Sequence, residues 1–365
     1  MERLLLHVIE GLTAWADVSV IGPSGCSAHL PAVRAAVECS QQPLRFLATA
    51  GVNAVMLCRR QHVNLVLGGS ALVTPVLRAA IAAGAEHGAT LVHGLDLAYP
   101  SRVFQWLCVA PLNRLDAVIA NSQATRQLAL QRGLHNARVS IVHPGVDLAK
   151  APGKSAIDEF QRRFDIAFDD YILFCGRMTQ RKGLSQFLGR CLPDILRAQP
   201  NTGVLVVGDE PINSLDQRGE KARVIQTVRD LGLHDSVRFI GHVSDEDLRC
   251  AMAGACVHVF PLVPVRGDVE GFGMVVIEAA AMGTATIAFD EGGVADAVGA
   301  CCGALLKTGD WQSMTREVLR RIEQCHHAER QACLDHAAAF SWHSHAENMA
   351  RSLAPLCGNP SASRA

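Results

Sequence analysis

The feature that most constrains this chain is a set of short apolar runs, each stopped by glycine or proline. In the second half Tyr171–Cys175 runs into Gly176, Val204–Val207 into Gly208 and Val237–Ile240 into Gly241. Val257–Phe260 then runs into Pro261, and Ala285–Phe289 is followed by Glu291-Gly292-Gly293. Strands apolar at nearly every position need cover on both faces, which is the pattern of a buried parallel sheet. Helical segments separate the runs, among them one from Gly183 to about Arg197, and strand–helix alternation predicts a doubly wound α/β domain. The first half repeats the pattern less cleanly. Strands are expected at Asp17–Ile21, Ala54–Leu57, Val63–Leu67, Thr90–His93, Ala117–Ala120 and Val139–Val142. Helices are expected at Met1–Leu12, Val73–Ala83 and Gln123–Leu130.

Two such alternations in 365 residues exceed one ordinary core, so two domains are expected. The polar, turn-rich Ala149–Ser155 marks the hinge. The division is residues 1–148, a linker 149–156, residues 157–340, a last helix 341–357 and a frayed tail 358–365. His326-His327 reads as solvated helix surface.

The net charge of −1 argues against a nucleic-acid binder. It hides an asymmetry, since residues 1–150 hold 12 Lys and Arg against 8 Asp and Glu, a surplus of 4. A mildly basic first half suits an anionic acceptor, or peripheral contact with an anionic membrane surface. No apolar run reaches the length of a membrane span. The 13 cysteines include no CxxC spacing and several lie in apolar runs, which reads as reduced thiols in a cytoplasmic protein.

Doubly wound sheets take ligands at the C-terminal ends of their strands. In the first half those positions hold Gly68-Gly69-Ser70, His93-Gly94, Asn121-Ser122 and Pro144-Gly145. His93 suits a hydrogen bond to a sugar hydroxyl or to a developing charge, and equally a structural place among fifteen histidines. Asn121-Ser122 reads as a helix N-cap. In the second half Arg177 and Lys182 share the loop after Gly176, a fork-shaped donor and a point cation suited to a diphosphate. Gly208 and Gly241 end the next two strands. In Glu270-Gly271-Phe272-Gly273-Met274-Val275 two glycines flank an aromatic ahead of a helix start, and Glu278 follows eight residues after Glu270. Such a helix start offers N–H groups to an anion. Two acids there would repel phosphate, so hydrogen bonds from sugar hydroxyls are the better use for them. Asp245-Glu246-Asp247 has metal-ligand spacing, but Ser244 before it reads as the cap of a helix.

Taken in order, Pro144-Gly145-Val146-Asp147, Gly176-Arg177, Lys182-Gly183, Glu270 with Glu278, Gly283, Gly292-Gly293, Asp296-Ala297-Val298 and Ser341-Trp342 resemble a known set. They match the GT-B glycosyltransferases of family 4, the retaining family of sucrose synthase and the phosphatidylinositol mannosyltransferases. The resemblance implies two Rossmann-like domains facing across a cleft, with the segment after Trp342 crossing back onto the first. It implies that Arg177 and Lys182 bind the donor diphosphate and that Glu270 meets the transferred sugar. Glu278 would meet the ribose, and Phe272–Val275 would bring backbone N–H groups near sugar and phosphate. His93 matches the histidine the family places beside the reacting sugar. No metal or other cofactor is implied, and configuration is retained.

The expected function is transfer of a hexose from a nucleotide diphosphate sugar, with mannose favoured from GDP-mannose and a UDP-sugar next. The acceptor would be a glycan or a lipid-linked precursor in polysaccharide or glycolipid synthesis. One departure stands out: Met1-Glu2-Arg3-Leu4 looks like the helix that follows the family's first strand and Gly-Gly loop. The first domain is therefore expected to lack its opening strand, because the native protein starts upstream or because the chain is compromised. The alternative is a GT-B-shaped nucleotide-sugar-binding protein with weak or no activity.

Overall fold

The structure, a computed structural model, describes residues 2–211, 219–324 and 329–357. His326-His327 and the tail at 358–365 lie outside the described residues. The chain divides into two compact units, Met1–Gly145 with Trp342–Ala365, and Val146–Ser341.

In the first unit β1 (Ser19–Pro23) and β2 (Ala35–Cys39) form a parallel pair. Strands β3 (Leu65–Gly68), β4 (His87–Val92), β5 (Ala117–Ala120) and β6 (Val139–Ile141) form a separate parallel sheet in that order. Among the described residues β1 and β3 each end their sheet, and no ladder joins the two. The helix Glu2–Thr13 sets Leu4 and Val8 at i and i+4, the spacing that puts both on one face. That face packs with Met349 and Leu353 of the helix Trp342–Cys357 over Ala89, Leu91 and Ile119. Trp342 lies so close to Gly145 that a Cβ there would sit 2.3 Å from its indole, and His345 Nδ1 lies 2.7 Å from the carbonyl oxygen of His143.

One expected strand is corrected. Ala54–Leu57 lies inside the helix Pro43–Arg60. Four apolar residues in a row fit either structure, and the longer period decides: Ala50, Ala54 and Cys58 are buried at i, i+4 and i+8, with Pro43 in the first turn. The strand β2 was not expected, since Ala-Ala-Val-Glu-Cys carries only weak alternation.

In the second unit β7 (Asp170–Cys175), β8 (Thr202–Val207), β9 (Val237–Gly241), β10 (Val257–Phe260), β11 (Thr286–Phe289) and β12 (Gly303–Leu306) form one parallel sheet. Its order is β12-β11-β10-β7-β8-β9, with the two six-residue strands β7 and β8 paired along their whole length. Alternate residues of β7 enter different cores. Tyr171, Leu173 and Cys175 join Phe260, Phe272 and Ile277 on one face, while Ile172 and Phe174 join Phe187, Leu188 and Val318 on the other. Fully burying such side chains contributes about 1.5–3 kcal/mol each, which fixes the register of the strand.

The expected linker 149–156 is shortened, because the helix Lys154–Arg163 opens within it to bury Phe160. The helix expected to run unbroken to Arg197 is two, Leu184–Arg190 and Leu192–Ala198. Pro193 has no N–H to continue the ladder, so it opens the second piece. Strand β12 was missed because only four residues, Gly-Ala-Leu-Leu, pair with β11 at an edge.

Candidate active site

The site is built in the second unit from the loops that leave β7, β8, β9 and β10. Gly176, Gly208 and Gly241 end neighbouring strands with φ of 146°, 111° and 67°. Gly176 donates its N–H to Val207 at 3.0 Å and Gly208 donates to Gly241 at 2.7 Å, tying the strand ends together. A Cβ on Gly208 would fall 2.2 Å from the carbonyl oxygen of Gly176, so only glycine fits.

Beyond Gly176 the chain makes a turn at Gln180–Lys182 and leaves it through Gly183 at φ 69°. There the backbones touch: a Cβ on Gly183 would lie 1.9 Å from the carbonyl oxygen of Pro261. The Val263 N–H donates to the Arg181 carbonyl at 2.9 Å. This close approach aims Arg181 and Lys182 at the segment after β10 that carries Glu270.

Lys182 Nζ donates to Glu270 Oε2 at 2.6 Å and lies 4.2 Å from the centre of the Phe260 ring. Arg181 donates through Nε to Asp268 Oδ1 at 2.8 Å and through a second guanidinium nitrogen to the same Glu270 oxygen. Arg181 is 5% exposed and Lys182 8%, so all four charges sit in a nearly dry environment. Burial alone would raise the Glu270 carboxyl, but Lys182 and Arg181 outweigh it and pull it down to about 2. Burial lowers the Lys182 ammonium, against the pull of Glu270. The Arg181 guanidinium, which burial alone would lower, is raised by Glu270 and Asp268.

Glu270 is anchored through its backbone as well. Its carbonyl accepts from the Gly293 N–H at 2.8 Å, and a Cβ on Gly292 would lie 2.5 Å from that oxygen. Gly271, buried, leads to Phe272, whose ring is 2% exposed and 5.8 Å from Phe340 in the core. Gly273, at φ 88°, caps the helix Met274–Ala281. Met274 and Val275 open that helix, half-buried, and Glu278 sits in its second turn. Burial first, then the Glu278 charge, pushes the thiol of Cys175, the last residue of β7, up to about 12.

Of the expected residues, the second unit thus brings Lys182 and Glu270 into contact and sets Gly176, Gly208 and Gly241 in adjacent loops. Arg177 is exposed on the same loop as Lys182. His93 belongs to the first unit. Its N–H donates to Asp96 Oδ1 at 2.9 Å, its Nε2 lies 2.8 Å from the Gly69 carbonyl oxygen, and Asp96 also accepts from the Ala71 N–H. Ser244 accepts from the Asp247 N–H at 3.1 Å, a helix cap. Among the described residues no group of three or more His, Cys, Asp or Glu could hold a metal ion, and every cysteine is a free thiol. Two members of the site were not singled out from the sequence, Arg181 and Asp268. Their signal was a second cation beside Lys182 and a second acid two residues before Glu270.

Strand-end glycines, two buried cations and a carboxylate thus gather at the loops of one parallel-sheet unit. Two family models divide the chain, one for glycosyl transferases group 1 over residues 169–324 and one for glycosyltransferase family 4 over residues 1–150. The chain belongs to the family 4 glycosyltransferases and has the GT-B fold.

The chain is 34% identical over 244 residues to a D-inositol 3-phosphate glycosyltransferase of Mycolicibacterium smegmatis, 63% of this chain and 51% of that protein. It is 31% identical to the enzyme of that name from Nocardia farcinica, over 65% of this chain and 52% of the relative. It therefore spans about half the length of the curated relatives it matches. The fold matches Anabaena HepE in complex with UDP-glucose at a TM-score of 0.77 and 21% identity, over 96% of this chain and 95% of that one. It matches sucrose-phosphate synthase of Thermosynechococcus elongatus at 0.75 and 20%, over 96% and 91%.

Proposed function

We propose that the protein is a retaining, metal-independent hexosyltransferase. Its donor is a nucleoside diphosphate hexose, GDP-mannose favoured and a UDP-sugar next, and its acceptor is a glycan or lipid-linked precursor in polysaccharide or glycolipid synthesis. The observation that carries this reading is the Lys182–Glu270 contact at the mouth of glycine-ended strands. It holds a cation for phosphate and a carboxylate for hydroxyls a hydrogen bond apart. The names of the curated relatives support glycosyl transfer, and the complex of the HepE neighbour supports a UDP-sugar as the second donor.

In this reading Arg177 and Lys182 take the diphosphate, Glu270 accepts from the hexose hydroxyls and Glu278 from the ribose. The bond between the anomeric carbon and the β-phosphate oxygen breaks while the acceptor oxygen bonds that carbon on the same face. The acceptor proton passes to the departing phosphate oxygen. Charge developing on that oxygen is met by the two cations, so electrostatic stabilisation carries most of the catalysis. His93, in the first unit, is the residue that the family resemblance assigns to the reacting sugar.

The acceptor side suits a lipid surface. No described helix is long and apolar enough to cross a membrane. Val103, Trp106 and Leu107 are 69%, 72% and 43% exposed between Arg102 and Arg114, and residues 97–115 contain no acid. An exposed indole with aliphatic neighbours and flanking arginines is what an anionic interface binds. The place of action is then the cytoplasmic face of a membrane.

A second reading, nucleotide-sugar binding with weak or no transfer, is favoured by the split of the first unit's strands into sheets of two and four. Incubating the protein with radiolabelled GDP-mannose or UDP-glucose and membrane extract separates the two. Labelled glycolipid or glycan supports transfer; saturable binding without product supports the second reading.

A further inference from the structure

Four buried charges meet at the site, and only two of them, Lys182 and Glu270, have a role in the proposed transfer. The other two, Arg181 and Asp268, are placed for a different task. The guanidinium of Arg181 bridges two carboxylates on one strand-end segment, Asp268 at 2.8 Å and Glu270 beside it. Its own backbone is fixed to that segment, through the Val263 N–H on its carbonyl at 2.9 Å and through the contact of Gly183 with Pro261. To leave Glu270 the Arg181 side chain would also have to swing away from Asp268, which holds it through Nε. Among the described residues Lys182 has a single carboxylate partner, Glu270.

The charges make the same distinction. Two cations and two carboxylates balance in the resting site. A diphosphate adds at least two negative charges and is the stronger attractor for a point cation that already sits in a nearly dry pocket. If Lys182 alone neutralised Glu270, its departure would strand a buried carboxylate, at a cost comparable to breaking a buried ion pair. With Arg181 in place the carboxylate stays paired. Buried ion pairs contribute little net stability, so stability alone does not account for a second pair here.

We infer that Arg181, clamped by Asp268, is the positioning residue that keeps Glu270 ionised and aimed at the hexose while Lys182 passes from Glu270 to the donor diphosphate. The inference rests on the nucleotide-sugar reading above. It separates two sub-functions of one loop: Lys182 serves the phosphates, and the Arg181–Asp268 pair serves the sugar by holding its acceptor carboxylate. A lysine in place of Arg181 has one nitrogen and cannot span both acids.

The test is isothermal titration of the full chain with UDP and GDP, and with UDP-glucose and GDP-mannose, for wild type, Arg181→Lys and Asp268→Asn. Steady-state transfer is measured in parallel. Both variants keep the shape of the side chain they replace or its charge, and unliganded melting reports whether they fold. The expected result is free nucleoside diphosphate affinity within about threefold of wild type. The extra affinity due to the hexose is lost and kcat falls tenfold or more, a loss of about 1.4 kcal/mol for each factor of ten. Combining Arg181→Lys with Asp268→Glu, whose longer arm reaches the shorter cation, restores part of kcat. Equal losses for nucleoside diphosphate and nucleotide sugar, or no loss of either in folded variants, overturn the inference. Failure of both variants to fold also overturns it, because the pair is then a structural strut. A wild type that binds none of the four ligands defeats the nucleotide-sugar reading itself, a result distinct from the others.

Discussion

Lys182 Nζ and Glu270 Oε2 lie 2.6 Å apart, although eighty-eight residues separate them in the chain. The contact exists because the turn at Gln180–Lys182 is pressed against Pro261 through Gly183, which brings the loops after β7 and β10 together. Replacing Lys182 with alanine removes one cation and leaves Glu270 paired to Arg181. Transfer by Lys182→Ala is expected to fall about 100-fold or more, as on losing a preorganised donor at a developing charge. Steady-state assay beside circular dichroism checks it, and near-wild-type turnover in a folded variant would reject the phosphate role.

Two glycine substitutions should differ in a way the backbone dictates. At Gly208 a Cβ meets the Gly176 carbonyl oxygen at 2.2 Å and φ is 111°. At Gly309 φ is also positive, 83°, but nothing lies within 4 Å. Gly309→Ala bears only the left-handed conformation, about 1–2 kcal/mol. Gly208→Ala adds a backbone collision and should lose clearly more. Urea denaturation of the two variants measures the difference; equal midpoints would contradict the close approach of the strand ends.

His258 supplies a pH prediction. It is fully buried in β10, with Nδ1 3.0 Å from Thr286 Oγ1 and Nε2 without a partner. Burial first, and the Lys182 charge second, push it from an ordinary 6.5 down to about 3. The unfolded chain takes up a proton near pH 6.5 that the folded chain refuses until about pH 3, so the unfolded state binds more protons across that window. The stability present above pH 6.5 is lost as pH falls towards 3, by up to about 4 kcal/mol. In His258→Val the slope of stability against pH should flatten there. Parallel curves for the two proteins would show that His258 is protonated in the fold.

The apolar surface at Val103, Trp106 and Leu107 predicts membrane behaviour. Replacing all three with serine should reduce co-sedimentation with vesicles of phosphatidylcholine and phosphatidylglycerol at least fivefold. Pure phosphatidylcholine vesicles should bind wild type weakly. Unchanged binding by the triple variant would place the lipid contact elsewhere or remove it.

Much of the second unit was legible because its short apolar runs, Tyr171–Cys175 among them, are each stopped by glycine or proline and alternate with helical segments, a pattern a parallel sheet explains as a set. The first unit was harder. Ala54–Leu57 is apolar in both readings, and only burial at Ala50, Ala54 and Cys58 tells helix from strand. Gly303–Leu306 carries too little pattern to be read without its partner β11. In the site, Lys182 and Glu270 could be read from motif spacing. The pairing of Arg181 with Asp268 could not, since it depends on how two loops meet and not on either loop's residues alone.

The central claim is that Lys182 and Glu270 form a donor site for a nucleoside diphosphate hexose. The most direct measurement is thermal stabilisation of wild type and Lys182→Ala by UDP, GDP, UDP-glucose and GDP-mannose at saturating concentration. Ligand at about 100 times its Kd adds about 2.7 kcal/mol to a folded site. The account predicts that at least one nucleotide and its sugar raise the wild-type melting temperature by several degrees and leave Lys182→Ala nearly unmoved. No shift in wild type with any of the four, or equal shifts in both proteins, would contradict it.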